Sequence, residues 1–166
     1  VFESVSLADG VLDLSDSMRL SDIDLSVSGS DADYRANLAA NLMAPEMETA
    51  RLEATGRGNM SEFRLERLHT QVLDGEVSGS GMVAWRPGIA WQAELDADSL
   101  APSGMAPNPE DWPGHVSLRA AVEGRLADGR TEMEVQVDTL HGILRGQPLT
   151  GVVRVGMSDS EYVFER

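Results

Sequence analysis

The residues of this chain that could do chemistry fail, group by group, on spacing. Asp24-x-Ser26-x-Ser28-Gly29 opens like a calcium-binding loop, but its twelfth position is Arg35, where a bidentate Glu is required. His69, His115 and His141 stand far apart. None is at metal-ligand spacing with another His or a carboxylate, so they read as surface or turn residues. Gly79-Ser80-Gly81 has no Lys-Ser/Thr after it and no helix to complete a phosphate cradle. Ser78 and Ser80 lack the Gly-x-Ser-x-Gly setting of a hydrolase elbow. The chain has no cysteine, which excludes disulfides and thiolate metal sites. Carboxylates are plentiful but fall on the polar phase of the pattern described next, where they solvate a surface and do not pair as acid and base. The expectation is a protein that is not an enzyme and uses no cofactor or metal.

That polar phase belongs to a two-residue alternation running almost from end to end. Successive side chains of a strand point to opposite faces, so each alternating run has one apolar and one wet face. From Gly75 to Trp85 the odd positions are apolar or glycine and include Val77, Val83 and Trp85. Ile89, Trp91 and Leu95 alternate with Gln92, Glu94 and Asp96 in the next run. Val116, Leu118 and Val122 follow, then Met133, Val135 and Val137, and finally Leu149, Val153 and Val155. Earlier runs do the same around Leu12, Ile23, Tyr34, Ala50 and Phe63. These runs predict an all-β chain of about eleven strands. Turn signals separate them at Asp9-Gly10, Gly29-Ser30, Gly56-Arg57-Gly58, Asp74-Gly75, Pro87-Gly88 and Asp128-Gly129. The segment from Ala101 to Gly114 carries Pro102, Pro107, Pro109 and Pro113, and reads as a loop between strands. Almost no charge falls on the apolar phase, so a one-residue slip would bury Asp or Glu and the register is well specified.

With 166 residues the chain is one domain or a slice of a longer protein. It begins at Val1 and shows no signal peptide and no bilayer-spanning apolar run, so any membrane anchor is expected elsewhere. Thirteen basic against 28 acidic residues give a formal charge of −15. That balance argues against nucleic acid and against electrostatic docking on an anionic membrane. Two architectures cover the dry face. Either half of the strands fold back over the other half as a sandwich, or an open, curled sheet offers its apolar side to a ligand such as acyl chains. The low aromatic content of 5% and the glycines on the inner phase (Gly75, Gly79, Gly81, Gly151) lean toward a smooth concave lining.

From Leu73 to Val155 the chain resembles the TamB family, the inner-membrane-anchored component of the translocation and assembly module in the Gram-negative envelope. The resemblance is carried by Leu73-Asp-Gly-Glu-Val77, by Gly81-Met-Val-Ala-Trp85-Arg-Pro87 and by Ile89-Ala-Trp91. It continues in Asp111-Trp112-Pro113-Gly114 and in Leu140-His-Gly142-Ile-Leu144-Arg145-Gly146-Gln-Pro148-Leu149. Their order and spacing are similar to the family's central region, whereas the first 70 residues match in style alone. Residues 1–70 are accordingly read as a repetitive β segment and 71–166 as a TamB-like β segment, with a Pro-rich loop at 101–114, in one continuous structure.

The resemblance implies a long periplasmic β structure folded into an apolar-lined trough, within a protein anchored in the inner membrane. It also implies an outer-membrane barrel partner of the BamA type, met through parts outside this segment. Roles in assembling outer-membrane proteins such as autotransporters, and in moving phospholipid between the membranes, come with it. The expected ligand is the phospholipid acyl chain, lying along the fifteen apolar residues named above from Val77 to Val155. Trp85, Gly114 and Arg145 carry over from the motif match, with structural readings as a strand anchor, a tight turn and an outer-face ion pair. Two other classes stay open: a strand-binding scaffold for outer-membrane proteins, and a structural β domain sealed by its own chain.

Overall fold

The alternating runs pair in chain order into one eleven-stranded antiparallel sheet. The computed structural model describes residues 2–15, 18–43, 49–105, 109–127, 130–158 and 161–165. The strands are β1 (Phe2–Ser15), β2 (Met18–Ser30), β3 (Asp33–Met43), β4 (Ala50–Gly58), β5 (Glu62–Val72) and β6 (Gly75–Ala84). They continue as β7 (Ile89–Leu100), β8 (Gly114–Ala127), β9 (Arg130–Leu144), β10 (Gln147–Ser158) and β11 (Glu161–Glu165). Two single 3-10 turns, Pro102–Met105 and Pro109–Asp111, occupy the proline-rich connection. The boundary at residues 70 and 71 falls inside β5, so the sheet runs through it without a break.

Among the described residues there is no sandwich. Every described strand belongs to a single sheet, and no large side chain among the described residues is fully buried. The buried apolar residues are mostly small: Ile23, Ala40, Ala50, Ala97, Ala101 and Ala120. The chain exposes 11233 Å², against roughly 8,000 Å² for a compact globule of the same mass. A layer without a second layer accounts for that excess, because side chains then shield one another only along the sheet.

Several turn signals lie elsewhere in the fold. Asp9-Gly10 sits inside β1, where Asp9 takes a left-handed conformation (φ 55°) at a shift in register against β2. Gly56, Arg57 and Gly58 are strand residues of β4. The chain reverses after them at Asn59, whose Oδ1 accepts hydrogen bonds from the Ser61 and Glu62 N–H groups at 2.8 and 3.2 Å. The β5–β6 hairpin turns on Leu73 and Asp74, both with positive φ (54° and 58°), and Gly75 already pairs in β6. Two left-handed residues in a row give the turn twist that suits a tight hairpin. Asp128-Gly129 and Pro107 lie outside the described residues.

Thr70 is the one polar side chain buried in the apolar face among the described residues, at 8% exposure. It pairs with Leu52 on one side and Val77 on the other, and its hydroxyl has no hydrogen-bond partner. An orphaned hydroxyl costs about 1–3 kcal/mol, so the isosteric Thr70→Val removes a penalty without opening a cavity. The expected result is a higher urea midpoint at unchanged slope, by about 1 kcal/mol of stability. A destabilised Thr70→Val would mean that the hydroxyl has a partner.

Candidate functional site: the apolar face

Direct cross-strand partners lie on the same face of a sheet, so the register alone tells which residues line one side. The row Leu7, Leu25, Leu38, Ala54, Leu68, Gly79, Leu95, Ala120, Val137, Val153 crosses from β1 to β10 through nine successive pairings. A neighbouring row brings Val122, Val135 and Val155 together with Ala93, Gly81 and Leu65. A third holds Val77, Ala97, Leu118 and Leu140. Val116 and Leu149 both pair with Gly142, which joins them toward the far strand ends. Val83 and Met133 complete the lining near the near ends, beside Trp91 and Gly124.

Register thus puts fourteen of the fifteen predicted lining residues on one face, though not in one environment, and Trp85 has no strand partner to place it. Most are half-buried by their neighbours, while Trp85, Ile89 and Val153 are exposed at 38%, 43% and 37%. Trp85 stands beyond the last residue of β6. Its indole N–H donates to the Met60 carbonyl at 2.8 Å and its backbone N–H to the Ser61 carbonyl at 2.9 Å. These two bonds tie the β6–β7 connection to the β4–β5 turn.

Glycines on this face seat the large rings. A Cβ at Gly124 would stand 2.3 Å from Cζ2 of Trp91, so the indole lies directly over the glycine. Gly56 is covered in the same way by Phe63 and Gly58 by Tyr34, and the two rings stack 6.3 Å apart at 17°. Sequence reading finds the glycines but not their partners, because only the inter-strand register says which ring lies opposite which gap.

The other two motif residues meet at the opposite strand ends. Gly114 has φ 143°, and a Cβ there would approach the Ile143 carbonyl oxygen to 2.0 Å. Arg145, with φ 53°, forms the β9–β10 turn with Gly146. Its N–H donates to the Pro113 carbonyl at 2.7 Å and its guanidinium sits 5.9 Å from the Trp112 ring centroid. The expected ion pair for Arg145 is replaced by this ring contact, since no carboxylate is recorded within reach among the described residues. The proline-rich connection thus ties two hairpin tips together, because Ala101 N–H also donates to the Leu73 carbonyl at 2.7 Å. An exposed cation over a ring is worth about 0.5–1 kcal/mol, so Arg145→Ala should cost no more than that in the urea midpoint.

Among the described strands, the cross-strand ion pairs lie on the other face. Arg119 bonds Asp96 at 2.8 Å across β7 and β8, which raises the pKa of its guanidinium above the usual arginine value. Arg125 and Glu132 pair at 2.7 Å, Arg154 and Glu134 at 3.2 Å, and Arg57 with Glu66. His69 Nδ1 lies 3.2 Å from Glu76, while His115 and His141 are exposed on separate strands. Exposed pairs of this kind contribute little each, about 0–1 kcal/mol, and serve chiefly to keep the outer face wet. No group of three or more His, Asp or Glu residues is placed to hold a metal ion among the described residues. No helix among them is long and apolar enough to cross a membrane.

Comparison with known proteins fits this architecture. Residues 11–161 match the family model described as the N-terminal domain of TamB. The chain is also similar to the translocation and assembly module subunit TamB of Haemophilus influenzae, with 22% identity over 134 residues. That alignment covers 80% of this chain and 10% of the relative, so the chain spans about a tenth of its length. No solved structure matches. The likeness reaches well ahead of Leu73, where the motifs begin, and the matching model is that of the N-terminal domain and not of a central region. Because the family model spans nearly the whole chain, the protein belongs to the TamB family.

Proposed function

We propose that this chain is a periplasmic segment of an inner-membrane-anchored bridge protein whose apolar face shields phospholipid acyl chains between the two membranes. The observation that carries the reading is the unbroken apolar face of a single-layer sheet that no second layer covers among the described residues. Eleven strands about 4.8 Å apart make a track roughly 50 Å long, far more than one small ligand needs. In this reading the sheet curls so that the face lines a trough. Acyl chains then gain about 0.8 kcal/mol per buried methylene with no specific pocket. Movement is passive sliding, without catalysis or cofactor. A BamA-type outer-membrane barrel meets other parts of the protein, and outer-membrane protein assembly is supported along with lipid supply.

The experiment is lipid analysis of the whole protein, purified in mild detergent and extracted. Several phospholipids per molecule, lost when Leu118→Asp interrupts the face, are expected. A lipid-free protein would count against the proposal.

A second reading rests on β1, 14 residues long and paired on one side only among the described residues. An unpaired edge is a template for strand addition, as a scaffold for outer-membrane β proteins would use. There, a strand peptide should bind and substitutions along the β1 edge should weaken that binding, while Leu118→Asp should leave it intact.

A further inference from the structure

The wet face sorts its charges by position. One transverse row reads Arg35, Arg57, Arg64, Met82, Gln92, Glu123, Glu134, each the direct cross-strand partner of the next from β3 to β9. Three arginines thus stand together at one end and two glutamates at the other, with a neutral pair between. Like charges directly opposite destabilise a sheet, and alternating signs would wet the face equally well without that cost. A chain with 13 basic and 28 acidic residues has carboxylates enough to separate its arginines, yet sets three side by side.

The outer members of the two groups find partners inside the chain. Arg57 pairs with Glu66, and Glu134 lies 3.2 Å from Arg154. Exposed Arg64 and Glu123 form no ion pair among the described residues, and Arg64 reaches the Met82 sulfur at 4.0 Å. Arg67, one row on from Arg64 in β5, likewise forms none. Arg64 on β5 and Glu123 on β8 stand three strands apart, roughly 14 Å, too far to meet within one sheet. A depression of about 620 Å³ opens between them, and Arg64, Met82, Gln92, Glu123 and Glu134 border it.

A surface that neutralises both groups at once carries carboxylates for the arginines and cations for the glutamates, each at the strand spacing. A second copy of the same face has both, set by the same separation of about 4.8 Å. We propose that two copies of the protein associate through their wet faces, the arginine group of one lying over the glutamate group of the other. With the copies running in the same sense and offset by four strands, about 19 Å, Arg57 and Arg64 fall over Glu123 and Glu134. One row on, Arg67 comes over Glu132, the neighbour of Arg125. Repulsion between two chains of net charge −15 is spread over their whole surfaces and screened beyond about 8 Å, whereas these pairs meet at contact. The inference concerns the face turned away from the apolar one and stands apart from the acyl-chain reading.

The test uses the full-length protein in mild detergent at about 0.15 M salt, its mass followed by sedimentation velocity as concentration rises. Two variants reverse one group each: Arg57→Glu with Arg64→Glu, and Glu123→Arg with Glu134→Arg. These positions are exposed or half-buried and their ion pairs are worth little, so the sheet should survive, as circular dichroism checks. The unaltered protein should self-associate, and each variant alone should do so at least tenfold more weakly. An equimolar mixture of the two should regain the unaltered strength within about threefold, because the new glutamates then face the new arginines. A protein that stays monomeric up to about 50 μM, association that ignores both reversals, or a mixture as weak as its components would each overturn the proposal.

Discussion

Leu95→Asp should abolish most of the lipid capture of the full-length protein while leaving its sheet intact. Leu95 lies in the central apolar row, opposite Gly79 on β6 and Ala120 on β8, and is half-buried. Its side chain lies against the open position of Gly79, since a Cβ there would stand 2.7 Å from the Leu95 Cδ2. A carboxylate at this place faces whatever hydrocarbon occupies the row. The cost of an ionised side chain among lipid chains is about 2.5–3.5 kcal/mol, which is roughly a sixtyfold to three-hundredfold loss in occupancy. The fold should survive, because no large side chain depends on full burial there. Circular dichroism checks the sheet and extraction of bound phospholipid checks the effect. The control is Glu94→Gln, one residue away on the wet face, which should leave lipid recovery within about twofold. Equal losses in both variants would mean that the face carries no lipid.

The second large effect concerns stability. Gly114→Ala should cost about 3 kcal/mol or more, from a side chain in a backbone region that L residues avoid and a Cβ driven to 2.0 Å from the Ile143 carbonyl oxygen. Something must move, and what moves is the start of β8 against the end of β9, together with the Arg145–Pro113 bond. The urea midpoint should fall by roughly 1–2 M. Gly146→Ala is the comparison. Gly146 also has a positive φ (74°), but nothing lies within 4 Å of the position its Cβ would take. It should pay the left-handed penalty alone, about 1–2 kcal/mol. If the two variants cost the same, the close approach at Gly114 is not what demands glycine.

The strands were legible because alternation is a local property. Val77, Val83, Leu95 and Leu118 announce their face by their immediate neighbours, and all four lie where that pattern puts them. The hairpin at Leu73-Asp74 was displaced by one residue, since Asp74-Gly75 is the usual turn dipeptide while Leu is an unexpected left-handed residue. The bulges were hidden for a different reason. Where Glu66 and Arg67, or Asp98 and Ser99, fall together between inward residues, two polar residues in succession look like an imperfect alternation. The choice between sandwich and open sheet was illegible, because the same apolar phase serves either one. The seating of Tyr34 over Gly58 and of Trp91 over Gly124 lay deepest, as it exists only once the strands have found their register.

The measurement that bears most directly on the apolar face places a photo-crosslinking amino acid at Leu95 and, separately, at Asp96 in the full-length protein in cells. Leu95 pairs with Gly79 and Ala120 on the apolar face, whereas Asp96 pairs with Arg119 and bonds it on the wet one. The open-track account predicts phospholipid adducts at Leu95 and none at Asp96. Adducts at neither position, or at both alike, would contradict it.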